Sequence, residues 1–220
     1  MLCSSCSAPV KPVVALDIDG TLANYHRHFL NFAQGWLGEY ISKSYTGKCS
    51  LAEHMGIDKR TYRECKLAYR QGGMKRSMPA FEGAASIPYA LRETGAEVWL
   101  TTTRPYMRLD NIDPDTREWC RRQGIEFDGL LYDEDKYACL AEIVGAERIV
   151  AVLDDEPQNL FRSAALGIFS VWMRTQYNCD AIDEDSQGPP PWHMEVRSVK
   201  EARERLVRKV REWNRTSSTL

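Results

Sequence analysis

The chain has 220 residues, of which 43% are hydrophobic and 27% charged, with a net charge of −2 at pH 7. This length suits one domain with or without a smaller inserted one, and the composition excludes a disordered or fibrous chain. General nucleic-acid binders usually carry a basic excess, so any contact with a polynucleotide has to come from a local basic patch.

The N-terminal tail, residues 1–11, contains the closely spaced cysteines Cys3 and Cys6. A zinc site usually needs a second close pair of ligands, and the next cysteine, Cys49, stands alone. The odd total of seven cysteines disfavours a disulfide framework and indicates reduced thiols. Neither a signal sequence nor a membrane-spanning apolar run is found. We therefore expect a cytoplasmic protein that does not contact a membrane.

Short apolar runs typical of buried strands alternate with helical segments along most of the chain. The expected strands cover 12–18, 97–103, 127–132, 148–153 and 168–173, and the expected helices cover 82–94, 113–123, 136–144 and 157–166. Strands that alternate with helices form right-handed crossovers and a parallel sheet covered on both faces. The predicted fold class is therefore α/β, with a doubly wound parallel sheet whose core comprises residues 12–23 and 81–178.

Four further segments fall outside this alternation. Residues 24–80 are too long for a loop and contain helical patterns at 27–40 and 59–71, so we expect a small helical insert after the first strand. Residues 179–197 are acidic and rich in proline, which predicts a linker. A final helix over 198–213 is expected to dock on the core, followed by a tail at 214–220.

Polar side chains follow three of the predicted strands, where a parallel sheet binds its ligands. They are Asp17 and Asp19 after the first strand, Thr102, Thr103 and Arg104 after the second, Asp154 and Asp155 after the fourth, and Lys136 at the start of the preceding helix. Carboxylates gathered at one rim repel each other and need a cation, and Mg²⁺ prefers such oxygen ligands. An aspartate beside that ion can attack phosphorus. Each residue alone is also compatible with a turn, a strand or a helix cap.

The whole pattern resembles the haloacid dehalogenase superfamily of phosphohydrolases. The string from Asp17 to Leu22, DIDGTL, matches its first motif, Thr102 its second, Lys136 its third and Asp154-Asp155 its fourth. Asp19 and Thr21 match the phosphatases of the superfamily rather than its dehalogenases. The resemblance implies a Rossmann-like core and a phosphatase that uses Mg²⁺ and forms an aspartyl-phosphate. It also implies that the insert is a cap above the active site.

The resemblance also implies a role for each motif residue. Asp17 is expected to be the nucleophile and a metal ligand, and Asp19 the general acid and base that binds metal through its backbone carbonyl. Thr102 and Lys136 are expected to hold the transferring phosphoryl group. Asp154 completes the metal shell, and Asp155 acts through a water molecule or by orienting Lys136.

Two narrower resemblances suggest a substrate. The LANYHRHF stretch and the helical insert are similar to the 5′(3′)-deoxyribonucleotidases, in which case Tyr25 stacks on a base; packing between insert and core is the equally good structural explanation. The second half, with TTTRP and VLDDEPQNL, resembles the phosphatase half of polynucleotide kinase/phosphatases, where the arginine after the second motif helps bind the phosphate. Arg104 occupies that position, although an exposed arginine at a strand end needs no function, and Thr103 beside it is a further candidate for substrate binding.

The sequence thus supports three functions. The first is a nucleotidase acting on a small phosphorylated substrate, the second a 3′-phosphatase acting on nucleic-acid ends, and the third a catalytically silent binding protein with the same fold. The oligomeric state is left open, a homodimer included.

Overall fold

A six-stranded sheet forms the centre of the molecule. The structure is a computed structural model that describes residues 10–105, 109–182 and 192–217, so Cys3 and Cys6 lie outside the described residues. All strand pairs are parallel, in the order β3-β2-β1-β4-β5-β6. The strands are β1 Val13–Asp17, β2 Glu97–Thr102, β3 Gly129–Tyr132, β4 Ile149–Asp154, β5 Ser170–Met173 and β6 Met194–Val196. The predicted fold class is confirmed, with each predicted strand within a few residues of its expected bounds.

The helices follow the expected alternation with the strands. The helices of the insert are α1 Tyr25–Leu37, α2 Leu51–His54 and α3 Lys59–Gln71, and those of the core are α4 Ser86–Glu93, α5 Ile112–Gln123, α6 Lys136–Val144, α7 Pro157–Ala165 and α8 Val199–Ser217. Gly124 ends α5 in the left-handed conformation, as its position after the helical pattern indicates. No described helix is both long enough and apolar enough to cross a membrane.

Different helices cover the two faces of the sheet. Val14 and Leu16 of β1 pack in the layer that includes α4, α5 and α8, whereas Val13 and Ala15 pack in the layer with α6 and α7. All four side chains are fully buried, because a central parallel strand has no solvent-facing side. Polar chemistry is therefore confined to the ends of the central strands.

The insert, residues 24–80, leaves the core and returns to it at one place. Ala23, just before the insert, and Ala80, its last residue, form an antiparallel bridge. Inside the insert, α1 packs on α3 through aromatic rings, with the ring centroids of Phe29 and Tyr69 5.3 Å apart. The last part of the insert is a 3-10 turn, Met74–Ser77, which brings Lys75 towards the core. The insert therefore sits as a helical unit beside the carboxyl ends of the strands.

The strand β6 corrects the sequence analysis, which assigned residues 179–197 to a linker. Met194–Val196 pairs in parallel with β5 at the edge of the sheet, and Val196 is fully buried. A strand of three residues close behind a proline-rich run is too short for a periodic pattern to reveal it. It leads directly into α8, which buries Val199, Ala202, Leu206 and Val210 against the core and extends beyond the predicted end at residue 213.

Candidate active site

The candidate site lies where the strand order reverses, between β1 and β4. In an open parallel sheet the loops after these strands diverge and leave a cleft at their carboxyl ends. β1 ends at Asp17 and β4 at Asp154, and β2 on the other side of β1 ends at Thr102. The topology thus brings together residues that are up to about 140 positions apart in the sequence.

Three carboxylates form a compact cluster at this point. Asp17, Asp154 and Asp155 each offer an oxygen, and these oxygens lie within 4.8 Å of one another. The left-handed Gly20, at φ +101°, makes room for this arrangement, because a Cβ atom at Gly20 would collide with the carboxylate of Asp155. Thr21 fixes the same carboxylate with a hydrogen bond from Oγ1 to Asp155 Oδ1, 3.2 Å long.

Lys136 supplies positive charge to the cluster from the first residue of α6. Its Nζ lies 2.5 Å from Asp17 Oδ1 and 2.7 Å from Asp154 Oδ2, and its side chain is 1% exposed. Tyr137 donates a hydrogen bond of 2.6 Å to the same Asp154 oxygen, and the backbone N–H of Glu156 donates to Asp154 Oδ1 at 2.8 Å. Asp154 is therefore held rigidly, whereas Asp17 Oδ2 has no hydrogen-bond partner among the described residues.

One lysine does not offset the charge of the buried carboxylates. Burial raises the pKa of Asp17 to about 7, with Lys136 opposing the shift and Asp154 adding to it. Burial and the neighbouring Asp17 and Asp154 also raise the pKa of Asp155 well above its usual range. The cluster thus needs further positive charge before all of its carboxylates ionise at neutral pH.

These features fit a hard divalent cation. Three convergent carboxylates, one with a buried oxygen that lacks a partner, form a donor set of the kind that Mg²⁺ takes. The carboxylate of Asp19 is not part of this cluster, so a contribution from Asp19 is restricted to its backbone carbonyl, as the sequence resemblance implies.

The carboxylate of Asp19 is held by two cations instead. Arg104 donates to it from Nη2 at 2.6 Å and from Nε at 3.1 Å, and Lys75 of the insert donates to Oδ2. Burial alone would raise the pKa of Asp19, but Arg104 and Lys75 outweigh it and hold the pKa well below its usual range. Burial lowers the pKa of Lys75 to about 7, although Asp19 opposes that shift. Asp19 is therefore ionised in this arrangement.

The structure places the remaining predicted residues around the same cavity. Thr102 is buried and accepts a long hydrogen bond of 3.4 Å from the backbone N–H of Arg104, whereas Thr103 is exposed. Arg104 is 4% exposed and its Nη1 donates to Thr116, so its guanidinium is fully engaged. Tyr25 is also buried, and Lys75 Nζ lies 4.1 Å from the centroid of its ring.

The cavity itself has a volume of about 210 Å³ and joins the strand ends to the insert. The sequence analysis overlooked six of the residues that line it. They are His26, Lys66, Arg70, Lys75, Glu156 and Asn159. Lys66 and Arg70 are spaced by four residues on α3, which is a sequence signal for one helix face, but it does not tell which way that face points.

Comparison with solved structures identifies the fold. No protein-family profile and no curated protein matches the sequence. A hydrolase of the haloacid dehalogenase family from Deinococcus radiodurans, solved with bound phosphate and sodium, has 16% identity and a TM-score of 0.60 over 91% of this chain and 96% of its own. A predicted phosphoglycolate phosphatase from Haemophilus somnus has 14% identity and a TM-score of 0.61 over 91% of this chain and 98% of its own.

An L-2-haloacid dehalogenase is also similar, with 12% identity and a TM-score of 0.56 over 89% of this chain and 99% of its own. Proteins named for two different reactions thus share this architecture, and at such low identity the likeness establishes the architecture alone. The chain has the fold of the haloacid dehalogenase-like hydrolases.

Proposed function

We propose that the protein is a Mg²⁺-dependent phosphomonoesterase that transfers a phosphoryl group to Asp17 and then to water. The observation that carries this proposal is the convergence of Asp17, Asp154 and Asp155 within 4.8 Å beside the buried Lys136. A site that only bound a cation would not need a lysine between two of its carboxylates. A nucleophilic carboxylate that must meet a phosphate dianion does need such a charge.

The proposed metal ligands are the side chains of Asp17, Asp154 and Asp155 and the backbone carbonyl of Asp19. A bound divalent cation would neutralise phosphate charge that otherwise repels an attacking carboxylate. Lys136 holds Asp17 Oδ1, which leaves Oδ2 as the oxygen available to a ligand. Thr102, at the end of β2, would donate its hydroxyl to a phosphoryl oxygen.

Asp19 is the proposed proton carrier. In the first step Asp17 forms a bond to phosphorus, the bond to the leaving oxygen breaks, and Asp19 gives that oxygen a proton. In the second step Asp19 takes a proton from the water that attacks phosphorus and releases Asp17. The contacts with Arg104 and Lys75 suit the second step, because they keep Asp19 ionised. The first step requires the substrate phosphate to draw at least one of these cations away.

The substrate that we propose is a nucleoside or deoxynucleoside monophosphate. The insert lines one side of the cavity with the aromatic rings of Tyr25 and His26, which are suitable for packing against a base. The buried Tyr25 is already in contact with the rings of Phe29 and Tyr69. His26 is engaged in the same way with Tyr45 and Tyr177, so a base would pack against the cavity-facing edges of these rings.

A 3′-phosphatase acting on nucleic-acid ends is the second candidate. Arg104 favours it through the sequence resemblance, and the cavity lies open to solvent beside the exposed Thr103. In this structure, however, the guanidinium of Arg104 donates hydrogen bonds to Asp19 and Thr116. A contact between Arg104 and phosphate would therefore require the Asp19 pair to open first.

The proposal is tested by phosphate release from deoxynucleoside 5′- and 3′-monophosphates, sugar phosphates and a 3′-phosphorylated oligonucleotide, with Mg²⁺ and with EDTA. We expect phosphate release from the nucleotides in Mg²⁺ and no release in EDTA. Preferred release from the oligonucleotide would select the second candidate, and preferred release from sugar phosphates would reject a nucleotide substrate. No release from any of these substrates would favour a silent binding protein.

The aspartyl-phosphate is tested in the same preparation. Acid quenching of a single turnover with ³²P-labelled substrate should leave label on the protein that hydroxylamine removes. The matched control is Asp17→Asn, which keeps the shape of the side chain but is a poor nucleophile. We expect this variant to fold, to release no phosphate and to carry no label. Turnover by Asp17→Asn at the wild-type rate would disprove the assigned nucleophile.

A further inference from the structure

Two cations of the insert line the cavity without an ion-pair partner in the described part of the chain. Lys66 and Arg70 are four residues apart on α3, so their side chains lie on one face of the helix. Both are half-buried and both line the cavity that contains Asp17 and Asp19. No carboxylate within the described ranges forms an ion pair with either of them, although Lys66 Nζ lies 5.3 Å from the ring centroid of Tyr62.

The first turns of the same helix provide a contrast. There Arg60 pairs with Glu64 at 2.9 Å, and Lys59 and Arg63 are exposed to solvent. Two like charges four residues apart destabilise a helix slightly, so an isolated α3 gains nothing from Lys66 and Arg70 together. Ordinary solvation explains the charges of Lys59 and Arg63. It explains less well two cations that face a cavity.

The rest of the site does not use these two charges. Arg104 and Lys75 are both engaged with Asp19, and Lys136 is engaged with Asp17 and Asp154. A phosphoryl group at Asp17 would lie among those residues and the proposed metal ligands. Lys66 and Arg70 are on the side of the cavity supplied by the insert, where the leaving group has to be accommodated.

The electrostatic influence of Lys66 and Arg70 reaches residues across the cavity. Burial is the main cause that lowers the pKa of His26 to about 4; Asp19 opposes this shift, and Lys75 and Lys66 contribute to it. Arg70 contributes in the same direction to the lowered pKa of Lys75. An anion placed between these residues would therefore be attracted by several groups at once.

We propose that Lys66 and Arg70 form a second anion site, so that the preferred substrate carries a further phosphate group on its leaving group. This inference rests on the proposed function, because it identifies the leaving group as the part held by the insert. The chemistry is shared by a nucleoside 3′,5′-bisphosphate and by the 3′-phosphorylated end of a nucleic acid, in which the further phosphate is a backbone diester. The planar guanidinium of Arg70 and the ammonium of Lys66, about one helical turn apart, can both bind either kind of phosphate.

The test compares kcat/KM for thymidine 3′- and 5′-monophosphate, thymidine 3′,5′-bisphosphate and a 3′-phosphorylated dinucleotide. We expect the wild-type protein to prefer a substrate with a second phosphate by at least about tenfold, the value of one hydrogen bond to a charged group. In Lys66→Gln/Arg70→Gln this ratio should fall to about one tenth of its wild-type value or less. Preference for the dinucleotide would assign the anion to a nucleic-acid backbone, and preference for the bisphosphate to a free nucleotide.

The matched control is Lys59→Gln/Arg63→Gln, which removes the same charges from the exposed part of α3 and should leave the ratio unchanged. Glutamine is a good helix former, so both double variants should keep the helix. Equal kcat/KM for mono- and bisphosphates in the wild-type protein, or an equal effect of the two double variants, would overturn the proposal.

A binding measurement separates this inference from the proposed function. Calorimetric titration of Asp17→Asn with the bisphosphate and with the monophosphates needs no turnover. Tighter binding of the bisphosphate that is lost when Lys66 and Arg70 are also replaced would support the anion site, and if the wild-type protein then released no phosphate from any substrate, the proposed enzyme would be rejected while the anion site stood. If the wild-type protein hydrolyses monophosphates and the replacement of Lys66 and Arg70 changes neither binding nor activity, the proposed enzyme stands and the anion site is rejected.

Discussion

Lys75 of the insert donates a hydrogen bond to the carboxylate of Asp19, a core residue 56 positions earlier in the chain. The lysine is 3% exposed, and apart from this pair it faces the aromatic ring of Tyr25. The insert therefore supplies part of the immediate environment of the proposed proton carrier. A change in the position of the insert would change the charge next to Asp19.

Loss of Lys75 should make Asp19 easier to protonate. Burial raises the pKa of Asp19, and the nearby Arg104 and Lys75 more than reverse that effect. In Lys75→Met the carboxylate loses one cation, so its pKa rises and the base form disappears at a higher pH. We expect the acidic limb of the pH profile for the dephosphorylation step to move up by about one unit or more.

Because the low pKa of Asp19 puts the acidic limb of the wild-type profile below pH 4, this shift is measured by single-turnover dephosphorylation from pH 7 down to the lowest pH at which each protein stays folded. Lys59→Met is the control, because it removes an exposed lysine from the insert. Arg104→Gln should produce a larger shift than Lys75→Met, since Arg104 has the greater influence on Asp19. Profiles that coincide for all of these proteins would show that Asp19 does not act as the base.

Gly20 should be required both for its backbone conformation and for the space that it leaves for the side chain of Asp155. Both Gly20 and Gly95 have positive φ angles, of 101° and 85°, but only at Gly20 would a Cβ atom collide with Asp155. We expect Gly95→Ala to cost about 1 to 2 kcal/mol of unfolding free energy from backbone strain alone. Gly20→Ala should cost more and should also weaken Mg²⁺ binding by about tenfold, because Asp155 has to move.

Urea unfolding in EDTA and calorimetric titration with Mg²⁺ measure the two effects of these glycine variants separately. If Gly20→Ala and Gly95→Ala have the same unfolding free energy and the same affinity for Mg²⁺, Asp155 does not depend on the close approach at Gly20. A weakened Mg²⁺ affinity in Gly95→Ala would point to a general loss of structure instead.

The sequence was sufficient to predict the acidic side of the site. Buried strands such as Val13–Asp17 and Ile149–Asp154 have an apolar pattern that few other secondary structures share. In a parallel sheet the carboxyl ends of such strands lie at the same edge. The cluster of Asp17 with Asp154 follows from that topology. Its close packing at Gly20 was not evident, because it depends on the path of two separate loops.

The basic side of the site was not predictable in the same way. Lys66 faces the cavity and Lys59 faces solvent, yet both are lysines on one amphipathic helix. Only the docking of α3 on the core decides between them, and docking depends on tertiary contacts such as the packing of Phe29 against Tyr69. The burial of Lys75 has the same origin. Nothing in the sequence of its 3-10 turn shows that the lysine will contact the carboxylate of Asp19.

Removal of Lys136 should destabilise the protein strongly unless Mg²⁺ is present. Its Nζ lies between Asp17 and Asp154, and these carboxylates would be left buried without their only lysine contact among the described residues. We expect Lys136→Met to lose about 3 to 5 kcal/mol of unfolding free energy in EDTA. Saturating Mg²⁺ should restore a larger part of the stability in this variant than it adds to the wild-type protein.

Urea unfolding of the Lys136 variant and the wild-type protein, each with EDTA and with Mg²⁺, gives this comparison. Lys209→Met is a control for loss of a lysine, since Lys209 is on α8 and contacts the ring of Phe169 instead of the carboxylate cluster. An equal gain of stability from Mg²⁺ in all three proteins would contradict the expected compensation between Lys136 and the cation.

His26 should make the stability of the protein depend on pH. Its ring stacks on Tyr45 and Tyr177, with centroids 5.6 and 5.4 Å away, and its Nδ1 is buried without a hydrogen-bond partner in the described structure. Burial, with help from Lys75 and Lys66, lowers the pKa of His26 from 6.5 to about 4. Between these values the unfolded chain binds a proton that the folded protein does not. Stability is therefore lost as the pH falls from about 6.5 to about 4.

His26→Phe keeps a ring for stacking but cannot titrate, so it isolates this effect from the other ionisable groups. We expect the wild-type protein to lose up to about 3 kcal/mol relative to His26→Phe between pH 7 and pH 4, at about 1.4 kcal/mol for each unit of pKa shift. Urea unfolding of both proteins across this range, in EDTA, measures the difference. Two parallel curves would mean that His26 takes up its proton equally well in the folded and unfolded states, and the ring would then have to be accessible to water in the native protein.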